Sequence, residues 1–470
     1  MEESEIEKCP LLRVLLFIIV GIYLADYLGR GVSTEVWMLI VLVCSVGFVV
    51  LSFCRKLQLA QSLLIFLLAF SVAGWRMCLQ QNQLFSTKYD QLDYCQAIVA
   101  QEPSIHGKVV RTKLLVLDGQ NVGQTFNISI LRDRLLEKWR RIHEGDGVIV
   151  HALLYDGAFI YKDNWIKASV SLSAVSGLMR LRVYALKLRH KLLLHISNHD
   201  YSPSFAIIAA MTLGDKSYLS KEQKNDFSAA GSSHLLALSG LHLSILIGVL
   251  LLLFPKNRWQ SQLFILLAIW AFVILVGMSA SVVRSAIMLS LCMLMHIADR
   301  KGFSLNSLSF AAILMLLCNP QSLFDVGFQM SCMAVMGIIL LTPNIHNKVG
   351  SILLVSLSAQ IATLPLTLYY FGQWSCYGIF LSLLVIPLST IILYGMLGVY
   401  LLLPFTVFAQ KLYIVVEEMV EILNKVVSFV ASLPGAMINH VYISKFQVFL
   451  LYVAILSFYM AIKKFVLIKK

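Results

Sequence analysis

In "SSHLLALSGLHLSILIGVLLLLF", residues 232–254, an apolar run long enough to cross a bilayer carries His234, Ser239, Gly240 and His242 in its first half. A serine and a histidine can form a nucleophile and its general base. The stretch offers no nearby carboxylate to orient the histidine and no legible oxyanion hole, so a membrane-embedded hydrolase is the weaker expectation. Gly240 beside Ser239 favours a broken or closely packed helix, the device by which membrane proteins turn freed backbone groups toward a cavity. On an uninterrupted helix His234 and His242 lie roughly 80° apart, so both can face one lumen.

Other polar residues fall at the same expected depth: Arg284 in "GMSASVVRSAIML", Asp325 and Gln329 in "LFDVGFQMS", and Gln360 in "SLSAQIATLPLTLYYFG". Such groups are costly inside a bilayer and usually face a bundle interior or a water-filled path, so together they outline a polar conduit. Each also has a purely structural reading. Arg284 can snorkel from beside a tight outer turn at 277–281, Asp325 can cap the start of its helix, and His234 can sit at headgroup depth. His195 and His199 have the i, i+4 spacing of zinc ligands, but no glutamate base or third ligand accompanies them, so no metal is expected. There is no GxxxxGK phosphate loop, and no other cofactor is expected either.

Positioning these residues requires membrane helices. Of 470 residues, 59% are hydrophobic and only 13% charged, and the mean hydropathy is +0.79; an ordinary soluble domain carries about 25% charged residues. Apolar runs near 11–29, 35–53, 58–77, 233–254, 261–278, 280–298, 304–318, 325–341, 350–370, 376–402, 412–433 and 443–462 predict a polytopic α-helical protein of about twelve spans. Arg55, Lys56, Lys256, Arg258, Arg300, Lys301, Lys348 and the terminal "KKFVLIKK" all fall on one predicted side, which puts both termini inside. The acidic head "MEESEIEKCP" leads into a first run without a small-residue cleavage site, so that helix is expected to be retained. The net charge of +13 fits both an anionic partner and topology-setting basic residues.

The region 85–175 differs, with charges of both signs and short apolar groups. "HGKVVRTKLLVLDG", "TFNISILRD" and "EGDGVIVHALLYDG" read as strands and turns of a small extracytoplasmic β-barrel of OB type. Its one basic patch with an aromatic is "RDRLLEKWRR". Cys78 precedes the region, Cys95 lies near its start, and the two offer one disulfide pairing. Residues 176–212 follow as basic interfacial helices. On a helix, Arg180, Lys187 and Lys191 share a face, while Arg182 and Arg189 fall nearly opposite. That helix can rest on lipid headgroups or form a positive collar for a polyanion.

Four segments then carry a resemblance: "LGDKSYLSKEQKNDFSAAGSSHLLALSGLHLSIL", "VRSAIM", "NPQSLFDVGFQMSCMAVMGI" and "AQIATLPLTLYYFGQWSCYGIFLSLLVIPLS", in that order between about 213 and 390. They resemble the competence domain of the ComEC family of DNA-uptake channels. Together with the composition along the chain, this divides it into N-terminal helices (1–84), the OB-like domain (85–175), the basic helices (176–212) and a channel domain (213–470). The resemblance implies passage of single-stranded DNA through the bacterial inner membrane during natural transformation. It also implies that Gly214 and Asp215 shape the approach, that His234, Ser239, Gly240 and His242 line or buttress the path, and that Arg284 contacts phosphate. Asp325, Phe328 and Gln329 would hold helices in place, with Gln360 on the path.

Two departures qualify this. No HxHxDH ligand run of the nuclease-like domain found in many members is present, and Ser382 stands where members commonly carry Asn. The expected partners are therefore single-stranded DNA, the bilayer, a separate nuclease, an outer DNA receptor and a cytoplasmic ATP-driven motor. The chain itself is expected to be a channel and not an enzyme. The main alternative is a permease for another anionic polymer or a lipid-linked solute.

Overall fold

The computed structural model describes residues 9–29, 32–53, 58–86, 94–118, 122–132, 137–152, 157–161, 164–170, 177–197, 202–255, 258–297, 305–342 and 348–468. The chain begins with α1 (Pro10–Leu28), α2 (Thr34–Ser52) and α3 (Gln58–Ser86). Six strands follow: β1 (Tyr94–His106), β2 (Val109–Val116), β3 (Thr125–Leu131), β4 (Gly147–His151), β5 (Ala158–Ile160) and β6 (Trp165–Lys167). Then come α4 (Gly177–Ser197), α5 (Pro203–Leu213), α6 (Lys221–Ala229), α7 (Gly240–Leu253), α8 (Trp259–Leu275) and α9 (Ala280–Ile297). The last helices are α10 (Leu305–Cys318), α11 (Val326–Leu341), α12 (Lys348–Phe371), α13 (Gly378–Leu401), α14 (Thr406–Ser432) and α15 (Lys445–Ile468).

Each apolar run expected to span overlaps one of these helices. Among the described residues, five of them, α1, α2, α3, α12 and α13, are long and apolar enough to cross a membrane. The charges at Arg55, Lys56, Lys256, Arg300 and Lys301, like His199, lie outside the described residues. The Cys78–Cys95 pairing is not made: both are free thiols, and Cys78 is buried with Sγ 3.6 Å from Val32 O.

The chain divides into two compact units, one of Met1–Ser86, Ile287–Gln373 and His440–Lys470 and one of Thr87–Ala286 and Trp374–Asn439, so one of the four crossings falls inside α9. The first contains α1–α3, α10–α12 and α15. Its core gathers Ile18 and Ile22 of α1, Trp37 of α2, Ala73 and Met77 of α3, Ala311 and Leu316 of α10, and Phe328 of α11. Gly21 lets α1 lie against the Phe70 carbonyl of α3, the close approach that small residues allow between membrane helices.

The second unit contains the strands, α4–α8, α13 and α14. Its sheet runs in the order β5-β3-β2-β1-β4-β6, antiparallel throughout except for the parallel pair β3 and β5. Side chains alternate across a strand, so Ala97, Val99, Leu114, Val116, Ile128, Ile130, Val148, Val150 and Ile160 share the inside of the curled sheet. Ile98 and Leu115 point the other way and pack with Leu117 against Met179 and Val183 of α4. That two-sided burial explains the unbroken apolar run "LLVL" in β2 and beyond.

The rest of the unit is built around α5, in which every residue from Ser204 to Leu213 is buried. Val385, Ile392 and Met396 of α13 and Val416, Val420 and Leu423 of α14 share its core. Hydrophobic residues on all sides suit a helix enclosed by others rather than one facing lipid.

Candidate functional site

The fold brings three remote stretches of the second unit onto one place, the start of α7. The first is the Gly-Asp turn that ends α5. Gly214 has a left-handed φ of +76°, which glycine adopts without strain, and its N–H returns to Ala209 O. Asp215 is buried, and its Oδ1 accepts from Ser217 N at 3.0 Å and Ser217 Oγ at 2.6 Å. A Cβ on Gly214 would meet Leu238 Cδ1 at 2.6 Å, so the turn packs against the segment leading into α7.

That segment is not a continuous helix. Ser233–Leu235 form a single 3-10 turn, the chain opens through Leu236–Ser239, and α7 starts only at Gly240. The 80° relation between His234 and His242, which needs an unbroken helix, therefore does not hold. Ser239 and His242 form a reciprocal cap instead: the Ser239 N–H donates to His242 Nδ1 at 3.2 Å, and Ser239 Oγ lies 3.1 Å from the same nitrogen. Nδ1 accepts the backbone proton, so the ring proton belongs on Nε2, which is buried without a hydrogen-bond partner. No carboxylate contacts this ring among the described residues, and the orienter of a nucleophile–base pair is missing. His234 is different, because its side chain is accessible to solvent although protein surrounds it closely.

Two further glycines fix the neighbours. A Cβ on Gly231, whose φ is +75°, would meet Ser375 Oγ at 2.8 Å and the Gly378 Cα at 3.0 Å, which joins this segment to the start of α13. A Cβ on Gly240 would meet Ser285 Oγ at 3.3 Å, which brings α9 alongside α7 and places buried Arg284 one residue from that contact. Ser382, in α13, is buried and donates to Gly378 O at 2.6 Å.

The other expected path residues lie in the first unit. Asp325 caps α11, its Oδ2 accepting from Phe328 N at 3.1 Å, while Phe328 is buried in the core. Gln329 donates from Nε2 to Leu323 O at 2.8 Å and accepts from Tyr370 OH at 2.9 Å, which ties α11 to α12. Gln360 Nε2 donates to Ser356 Oγ at 3.4 Å within α12. The cap gives a direct test of the structural role of Asp325. Asp325→Ala is expected to lower stability by about 1 kcal/mol and Asp325→Asn by much less, as read by thermal unfolding of the purified protein in detergent.

Helix α4 ties the sheet to the helical part of the second unit. Arg180, Lys187 and Lys191 are exposed along it. On the other side Arg182 Nη2 donates to Thr125 Oγ1 at 2.9 Å, and Arg189 is buried. Arg189 Nε donates to Glu144 Oε2 at 2.9 Å, Nη2 pairs with the second Glu144 oxygen, and Nη1 donates to Val276 O at 2.9 Å and Leu213 O at 3.4 Å. One guanidinium thus joins the β4 approach to the C-terminal ends of α5 and α8, where carbonyls lack helical partners. Burial pushes the Glu144 carboxyl upward, and the Arg189 charge opposes that push.

Two electropositive features lie beside this joint. Lys187 passes over Gly145 and lines, with Lys167 and Asp146, a groove of about 350 Å³. Lys113 of β2 and Lys224 are exposed beside Lys216, whose ammonium is pulled below the ordinary lysine range by partial desolvation and by those two charges. In "RDRLLEKWRR", Arg132 and Arg140 both pair with Glu137, and Arg140 lies 5.6 Å over the Trp139 ring.

Sequence reasoning did not single out Glu144, Arg189, Lys113 or Lys216. "EGDG" reads as a turn, and only the helix phase of Arg189, opposite the exposed lysines, hinted that it faces inward.

The family model for competence proteins matches residues 211–465, more than half of the chain. The chain belongs to the ComEC-type competence protein family. Within that family, it is 28% identical over 324 residues to ComE operon protein 3 of Bacillus subtilis (strain 168), covering 66% of this chain and 42% of that protein. An uncharacterized protein of Aquifex aeolicus (strain VF5) is also 28% identical, over 239 residues, covering 50% of this chain and 56% of its own length. The chain spans roughly half the length of these relatives, and no solved structure matches it. Family membership and the apolar helices together make it a membrane protein. The residues converging on α7 all fall inside the matched region, whereas the sheet, α4 and the Glu144–Arg189 joint precede it.

Proposed function

We propose that this ComEC-family protein is an inner-membrane channel that passes single-stranded DNA into the cytoplasm during natural transformation. The observation that carries the reading is the interrupted start of α7. There the Gly214–Asp215 turn, the Gly231 contact with α13 and the Gly240 contact with α9 fall on the segment that carries His234, Ser239 and His242. A break of this kind exposes backbone groups and is tolerated at membrane depth where it lines a cavity.

Lys113, Lys216 and Lys224 supply positive charge near the Gly-Asp turn, with Lys187 along the adjacent groove, where Lys167 is paired with Asp146. Such an approach suits a polyanion and reads no sequence, as transport of arbitrary DNA requires. The curled sheet has the connections of an OB-type barrel if β5 and β6 are taken as one interrupted strand, parallel to β3 at one end and antiparallel to β4 at the other. On this reading the sheet lies outside the cytoplasm and both termini inside. Strand degradation, outer capture of DNA and ATP-driven pulling belong to partner proteins, and the chain performs no chemistry of its own.

The test is uptake of labelled DNA into the cytoplasm of the native host. A deletion strain should bind DNA yet admit none, and the wild-type gene should restore passage. His242→Ala and Arg284→Ala, at matched membrane levels, should restore no more than about a tenth of it, the loss corresponding to roughly 1.4 kcal/mol. Unchanged uptake after deletion would sink the DNA reading and bring forward a permease for another anionic polymer or a lipid-linked solute.

A further inference from the structure

Away from the α7 site, three side chains from three elements of the second unit meet. Glu102 belongs to β1, at the point where the pairing of β1 with β2 slips between Gln101 and Ser104. A bulge of this kind re-aims a side chain out of the regular alternation. His143 lies in the turn before β4, its backbone N–H donating to Asp146 Oδ2 at 2.9 Å, and His190 lies on α4. His143 Nδ1 is 2.8 Å from Glu102 Oε1, and His190 Nδ1 is 3.6 Å from Glu102 Oε2. The two imidazoles stack with centroids 5.0 Å apart. One ligand atom from each of the three residues falls within 4.8 Å of the others.

We propose that Glu102, His143 and His190 form a binding site for a divalent transition metal of the zinc class. Two imidazoles and a carboxylate are a donor set that zinc accepts, with ligand atoms roughly 2.0–2.2 Å from the ion and so roughly 3.3 Å from one another in a tetrahedron. The present separations of 2.8 and 3.6 Å bracket that spacing. Each ring meets the ion through Nδ1 and carries its proton on Nε2. Glu102 Oε2 already accepts from Glu144 N at 3.0 Å, which fixes the carboxylate from behind. Glu102 and His190 are mostly covered, at 14% side-chain exposure each, while His143 is 47% exposed, so an ion has a way in and a fourth position for water.

The site would staple the bulge in β1, the β4 turn and α4 at the residues next to Glu144 and Arg189. It does not depend on the channel reading, since its prediction is made on the isolated protein.

The test uses the full chain, untagged and in detergent, stripped with a chelator and titrated with Zn2+ against a chromophoric competitor. The wild type is expected to take up one equivalent more than His143→Ala or His190→Ala, whose affinities fall by about a hundredfold or more. His195→Ala, on the same helix, is expected to bind like wild type. X-ray absorption on the loaded wild type should show two imidazoles in the first coordination shell, and Zn2+ should raise the melting temperature of wild type alone. Equal uptake by wild type and both histidine variants, or a bound ion without imidazole ligands, overturns the proposal.

Discussion

Arg189→Met is expected to destabilise the folded protein by about 3–5 kcal/mol, the largest effect of any single side-chain truncation in the second unit. The cause is what the substitution leaves behind. Glu144 is 3% exposed and the carbonyls of Leu213 and Val276 sit beside it, so all three lose their cationic donor without gaining water. Converting the pair to Arg189→Met with Glu144→Met should recover part of the loss, because replacing a whole buried ion pair with apolar groups is often neutral or favourable. Recovery should stay incomplete, since each helix-end carbonyl still lacks a donor at a cost of about 1–3 kcal/mol. Thermal unfolding in detergent, with gel filtration as the check on folding, separates the cases. If the single and double variants melt together, the charge of Glu144 is not what the arginine compensates, and the joint is held by packing alone.

That joint shows what local sequence can and cannot specify. Apolar runs mark the helices because bilayer thickness sets their length, and strand alternation marks the sheet because burial has a period of two. The interruption before α7 was legible in the adjacent Ser239 and Gly240, and the cap at Asp325 in the carboxylate that opens its helix. Long-range partners were not. Glu144 and Arg189 are 45 residues apart, and neither flanking sequence has a pattern that demands the other. Glu102, His143 and His190 likewise have no ligand spacing, since a bulge, a turn and a helix bring them together. The i, i+4 spacing of His195 and His199 is visible in one dimension because a helix sets it. His195 is instead exposed on α4, five residues beyond His190, which meets Glu102.

Gly231→Ala is expected to be the most damaging methyl addition in the α7 region. Its φ of +75° costs an L-residue about 1–2 kcal/mol, and its Cβ would lie 2.8 Å from Ser375 Oγ, 2.9 Å from Ser375 Cβ and 3.0 Å from the Gly378 Cα. The hydroxyl can rotate away, but the Gly378 backbone cannot, so overpacking adds about 1–3 kcal/mol. Gly157→Ala provides the control, because Gly157 has a similar φ of +87° with nothing within 4 Å of the added carbon. That variant should show the backbone cost alone. Ser375→Gly combined with Gly231→Ala should recover the part due to the serine and leave the part due to Gly378. Melting temperatures in detergent and membrane levels in cells would rank the variants as Gly157→Ala, then the double variant, then Gly231→Ala. If Gly231→Ala behaves like Gly157→Ala, the start of α13 does not press on this turn in the membrane. The convergence of segments that supports the channel would then lose one of its three contacts.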